Sequence, residues 1–233
     1  MRLRAIAILI TLALLAGSFM LFQFTELDLR VQDCLFDFNR GVWLVDKHAR
    51  LPRLLCYTGP KIVIIVLGAG LLLATVLPRR WKPSWLISPW PARRLAGFLA
   101  CLALVPAVIG VMKARSDIYC PWDLQRYGGE QPYHHFFDSL PPPGEPDCGN
   151  CFPAGHASGG FALMALGFLF ERRRAQWTGF AIGFTVGWTM GIYQLLKGAH
   201  FLSHTITTML IAALIIQVIA CWVAAPVRNT KSG

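Results

Sequence analysis

Three short segments of this chain gather side chains that can bind an anion and move protons. In Cys151-Phe-Pro-Ala-Gly-His156-Ala-Ser-Gly-Gly, Pro153, Ala154 and Gly155 stand just before a helix start. Unpaired backbone N–H groups and the helix dipole favour phosphate oxygens there. In Gly198-Ala-His200-Phe-Leu-Ser203-His204, Gly198 ends one helix and Ser203 is placed to cap the next. His200 and His204 are four apart and so share a helix face. Gln194 and Lys197 lie just upstream, and Lys113 and Arg115 stand at the end of an earlier apolar run. An imidazole with an ordinary pKa of about 6.5 serves as acid, base or nucleophile near neutrality. The same pattern admits a metal site or a transport path, because two histidines at i and i+4, with His156, Cys148 and Cys151, have ligand spacing.

The elements that must position these residues are apolar. Of the 233 residues 55% are hydrophobic and only 15% charged, against roughly 25% charged in soluble domains. A hydrocarbon core of about 30 Å needs about 20 helical residues. Six apolar stretches approach that length: 5–24, 62–78, 96–112, 157–170, 176–196 and 205–224. The expected fold is an all-α membrane protein, a single domain built as a bundle of about six transmembrane helices. Lys113, His156 and the Gln194–His204 stretch then fall at the same ends of their spans.

The net charge of +10 is distributed by topology. One set of connections carries Arg2, Arg4, Arg79, Arg80, Lys82, Arg93, Arg94, Arg172, Arg173, Arg174, Arg228 and Lys231, with Glu171 as its one acid. Basic loops stay cytoplasmic, so both termini are expected inside and the histidines outside. The basic excess thus serves the anionic leaflet, and nucleic acid is not an expected partner. The first apolar run continues through Phe22 without a small-x-small cleavage site, which favours an uncleaved helix over a signal peptide.

Two outer segments remain. Residues 25–61, with Phe36, Phe38, Trp43 and Leu44, read as an interfacial amphipathic stretch. Residues 113–156 hold the turn formers Gly128-Gly129 and Pro141-Pro142-Pro143-Gly144, together with His134 and His135, which read as surface loop histidines. Tyr119, Trp122, Asp123 and Tyr127 are open to two readings, a lid over the site or simple loop packing. Trp81, Trp85 and Trp90 suit interface anchoring. Cys34, Cys56, Cys120, Cys148 and Cys151 lie where disulfides are permitted. A local Cys148–Cys151 bridge and unpaired thiols are both open readings, as is the oligomeric state.

The three segments together resemble the type 2 phosphatidic acid phosphatase family, which also includes soluble acid phosphatases and vanadium haloperoxidases. Its first motif, Lys, six residues, Arg-Pro, is matched by Lys113 and Cys120-Pro121. Its second, Pro-Ser-Gly-His, is matched by Pro153-Ala154-Gly155-His156. Its third, Ser-Arg, five residues, His, three residues, Asp, is matched by Tyr193-Gln194, His200 and His204. The departures are Cys120 and Gln194 for the two arginines, Ala154 for the serine and His204 for the aspartate.

The resemblance implies a lipid phosphate phosphatase of a bacterial inner membrane, with its site facing the periplasm. In it His200 attacks phosphorus, His156 exchanges protons with the leaving oxygen and with water, and His204 orients His200. Lys113 and backbone amides bind phosphate, with Lys197, Arg115 and Gln194 as candidates to replace the arginines. No metal or other cofactor is implied. Candidate substrates are phosphatidic acid, phosphatidylglycerophosphate, polyprenyl diphosphate and a lipid A phosphate. Transfer to an acceptor other than water, and a degenerate relative that binds lipid phosphate without turnover, are the alternatives.

Overall fold

The computed structural model describes residues 2–81, 90–138 and 149–224, without the Arg79 side chain. Cys148, Pro141-Pro142-Pro143-Gly144, Lys82, Trp85, Arg228 and Lys231 lie outside the described residues. The chain folds into helices α1 (Arg2–Gln23), α2 (Leu27–Asp33), α3 (Arg50–Arg53), α4 (Gly59–Val76), α5 (Ala92–Lys113), α6 (Gly155–Ala162), α7 (Arg173–Leu196) and α8 (Leu202–Val223). A π-helical turn, Leu54–Thr58, joins α3 to α4, and a 3-10 stretch, Leu163–Leu169, extends α6.

Among the described residues, four helices are long and apolar enough to cross a membrane: α1, α5, α8 and the continuous run Arg50–Val76. They correspond to the expected spans 5–24, 62–78, 96–112 and 205–224, with ends that differ by a few residues or more. The expected span 157–170 is the shorter apolar segment Gly155–Leu169. The expected span 176–196 lies inside α7, whose 24 residues include threonines, glutamines and glycines and leave it outside that set of four. α1 and α4 bury few side chains, leaving apolar surface such as Leu9, Leu14, Ile62 and Val66 exposed, as a lipid-facing helix requires.

Glycines set the tightest packing. Gly179, Gly183, Gly187 and Gly191 recur every fourth residue along α7, so they form one smooth face. α6 and its 3-10 extension press against that face. A Cβ on Gly187 would lie 2.3 Å from the Phe161 ring, and one on Gly183 would lie 2.0 Å from the Met164 nitrogen. The core fills the space between α5, α6 and α8 with Leu95, Phe98, Val105, Phe161, Met164 and Ile216.

At the end of the bundle where α5 finishes and α6 begins, residues 25–61 form a protein-covering cap. It holds α2 and a two-stranded hairpin, β1 (Phe36–Asp37) antiparallel to β2 (Val42–Trp43). Leu29 and Phe36 pack with Tyr119, Leu124, Tyr127 and Phe201. Asp33 receives two hydrogen bonds from Arg126, at 2.8 and 2.6 Å, and a third from the Tyr127 hydroxyl at 3.0 Å. Of the residues expected at the bilayer surface, Phe36 and Trp43 turn to other protein rings, whereas Phe38 and Leu44 are exposed. Tyr119 and Tyr127, open to a lid or a loop-packing reading, pack in the core of this cap.

Candidate active site

His200 sits in the connection between α7 and α8, and local backbone chemistry puts it there. Gly198 adopts a left-handed φ of +73°, and its amide closes α7 onto the Leu195 carbonyl. A side chain at Gly198 is doubly excluded, because a Cβ would lie 2.2 Å from the Trp43 ring. The cap clamps the backbone from His200 to Ser203. Gln32 donates to the His200 carbonyl at 3.3 Å, and Asp28 accepts the Ser203 amide at 2.9 Å in the first turn of α8. A carboxylate is favoured at a helix N-terminus, although burial pushes the Asp28 carboxyl up to about 6.

The three histidines form a file. His156 Nδ1 lies 3.0 Å from His200 Nε2, and His200 Nδ1 lies 3.5 Å from His204 Nδ1. His200 and His204 are each 1% exposed, whereas His156 is half-buried. Burial holds the His200 imidazole well below its ordinary pKa, and the nearby charges of His204, His156, Lys113 and Lys197 act the same way. His200 therefore stays neutral at physiological pH and keeps a lone pair on one ring nitrogen.

Cys120 and Cys151 form a disulfide. This pairing replaces the local Cys148–Cys151 bridge among the sequence expectations: the chain brings the end of the α5–α6 connection back beside residue 120, which spacing alone does not reveal. The Cys151 sulfur lies 3.4 Å from His200 Nδ1 and 3.2 Å from the Ala199 carbonyl oxygen. Cys120, Cys151 and His200 would otherwise group as metal ligands, but sulfurs bonded to each other present no thiolate to a metal. The Pro153–Gly155 segment is pinned to α8: the Ala154 amide donates to the His204 carbonyl at 3.3 Å, and Thr208 donates to the Ala154 carbonyl at 3.2 Å.

His156 opens onto a cavity of about 640 Å³. Lys113 and Lys61 line the same cavity, and the Lys113 stem runs past Gly155, where a Cβ would meet its Cδ at 3.5 Å. The other walls are mostly apolar and come chiefly from α4 and α5, among them Ile64, Leu72, Leu99, Leu102 and Pro106, with Ser158 and Gly159 of α6 and Met190 of α7. Lys197 lies outside this lining. Its ammonium rests over the rings of Tyr193 and Trp122, 4.9 and 5.9 Å from their centroids, and burial and the Arg53 charge lower its pKa. Arg115 lines a second cavity with Asp117, His134 and Phe136. Gln194 is fully buried, and neither amide atom of its side chain has a hydrogen-bond partner among the described residues.

The structure thus brings Lys113, Gly155, His156, His200 and His204 together, keeps Lys197 at the edge and separates Arg115. His134 and His135 hold loop structure, His135 contacting the Phe22 carbonyl at 3.2 Å. Sequence reasoning passed over Asp28, Tyr57 and Lys61. Lys61 carried one usable signal, since it begins an expected span on the side where Lys113 ends one.

No curated protein and no solved structure matches the chain. The profile described as PAP2 superfamily matches residues 94–228, more than half of the sequence and all three motif segments. Such membership supports a phosphatase-type activity on phosphorylated substrates. The chain belongs to the PAP2 superfamily.

Proposed function

We propose that this protein is a membrane lipid phosphatase that hydrolyses a phosphate monoester or diphosphate of a lipid through a phosphohistidine at His200. The observation that carries the reading is the cavity shared by His156 and Lys113, whose remaining walls are mostly apolar and formed by helices suited to lipid. A phosphate bound beside Lys113 leaves its lipid chain against α4 and α5. The topology proposed has six spans with both termini cytoplasmic, which sets the site at the periplasmic face of a bacterial inner membrane.

The chemistry rests on the file of rings. With the His200 proton on Nδ1, directed at His204, the Nε2 lone pair attacks phosphorus. A P–N bond forms as the P–O bond to the lipid breaks, and His156, carrying a second ring proton once the anionic phosphate lies beside it, gives that proton to the departing oxygen and is left neutral. His156 then takes a proton from water, the hydroxide attacks phosphorus, and the P–N bond breaks to release phosphate. Splitting one difficult displacement into two is the advantage of a covalent route. His204 accepts from His200 when its own proton is on the other nitrogen, a weaker orienting group than a carboxylate because it brings no negative charge. Lys113 and the backbone amides opening α6 neutralise the phosphoryl oxygens.

The 3.0 Å contact between His156 and His200 leaves no room for phosphorus, so His156 turns aside when substrate enters. The test is phosphate release by the purified protein from phosphatidic acid, phosphatidylglycerophosphate, a polyprenyl diphosphate and a lipid A phosphate. One or more is hydrolysed by the wild type and none by His200→Ala. A wild type inert on the whole panel overturns the reading.

A further inference from the structure

Lys61 and Tyr57 lie outside the matched residues 94–228, yet both line the cavity that His156 and Lys113 share. The family pattern supplies two arginines to the phosphate, and here their positions hold Cys120, locked in a disulfide, and Gln194, an uncharged amide. Lys113 alone leaves a phosphoryl group carrying up to two charges under-neutralised. We infer that Lys61 is a substrate-contacting residue that binds the phosphoryl oxygens from the α4 wall of the cavity, with Tyr57 holding it and His156 in place.

Several observations converge on this pair. The Tyr57 ring meets the His156 ring edge-on, with centroids 5.0 Å apart, and the Lys61 ammonium stands 5.7 Å from the Tyr57 centroid. The Lys61 charge acts on His156 together with those of Lys113 and Lys197. Among the described residues no carboxylate lines this cavity and Lys61 forms no ion pair, which leaves its charge available to an anion. The backbone beneath is specialised too. Tyr57 belongs to the π-helical turn Leu54–Thr58, a rare winding that recurs at functional sites. The Gly59 amide bonds to the Leu54 carbonyl, and a Cβ on Gly59 would lie 2.7 Å from that oxygen. Glycine thus permits the wide turn that feeds Tyr57 and Lys61 to the cavity.

This inference rests on the phosphatase reading, and the test separates the two. Activity of the wild type on any lipid phosphate establishes the reading first. Orthophosphate is then used as a competitive inhibitor of wild type, Lys61→Met and Lys61→Arg, assayed on that lipid and on a short-chain, detergent-free phosphate ester. Lys61→Met is expected to weaken orthophosphate inhibition and lower kcat/KM about 10- to 100-fold on both substrates, the range for a lost charged hydrogen bond. Lys61→Arg is expected to restore most of both. A lysine that merely anchors α4 at the membrane surface leaves orthophosphate inhibition unchanged in Lys61→Met, and that result, with the wild type active, overturns the inference.

Discussion

The two sides of the histidine file are built in opposite ways. Around His200 and His204 everything is closed: both rings are buried, a disulfide lies against one of them, and α2 clamps the backbone through Gln32 and Asp28. Around His156 the site is open to a cavity, and its polar neighbours, Lys113, Lys61 and Tyr57, stand on separate helices or turns. Under the proposed mechanism this difference fits a division of labour. A nucleophile must be neutral and fixed in direction, which burial and bracing provide. The acid–base residue must yield to an incoming phosphate and reach two oxygens in turn, which an edge position allows.

The contrast between the two sides breaks most visibly at His204. If its work is to hold the His200 proton, His204→Ala lowers kcat roughly 100-fold while KM stays within a few-fold, the pattern of an interaction made mainly in the transition state. His204→Asp, which adds the missing negative charge, is expected to recover most of the rate. Steady-state kinetics on one lipid phosphate decide this, and equal losses in both variants count against an orienting role.

The disulfide gives the next effect. Cys120 and Cys151 are 31 residues apart, and removing such a cross-link costs about 2–4 kcal/mol of stability. Cys120→Ser with Cys151→Ser, or dithiothreitol on the wild type, should lower thermal stability in detergent and reduce kcat more than it raises KM, because the sulfur braces the nucleophile. Equal stability with and without reductant would show that the bond braces nothing.

The smallest effect concerns Asp28. Its carboxyl, raised to about 6 by burial, holds a proton in the folded chain that the unfolded chain releases near pH 4. The stability tied to that proton is complete below pH 4 and is lost as pH rises through 6, an amount on the order of 3 kcal/mol at most. Asn at this position still accepts the Ser203 amide but does not titrate. The melting temperature of Asp28→Asn, relative to wild type, should therefore climb between pH 4 and pH 6 and stay level above. A constant difference across that range contradicts the assignment.

Much of the fold and the site was legible in the sequence, for physical reasons that differ by element. α1 and α4 leave most of their apolar side chains exposed, so hydropathy alone finds them. His156, His200 and His204 were found because each lies in a short motif whose internal spacing survives folding. α6 and α7 were harder: their association runs on the four-residue glycine recurrence of α7, which lowers hydropathy while tightening packing. The Cys120–Cys151 pairing and the arrival of Lys61 beside Lys113 depend on how distant segments meet, and no local pattern records that. The inward packing of Phe36 and Trp43 was not legible, because aromatic residues that pack on protein and those that sit at a membrane surface have the same composition.

The most direct measurement traps the intermediate. A lipid phosphate with radiolabelled phosphorus is mixed with the protein, quenched in alkali within milliseconds to seconds, and the label is mapped on the chain. The expected result is an acid-labile, alkali-stable phosphoryl group on His200 that rises and decays within the turnover time and is missing from His200→Ala. Turnover with no labelled protein at any time, or with the label on another residue, would contradict the assignment of His200 as nucleophile.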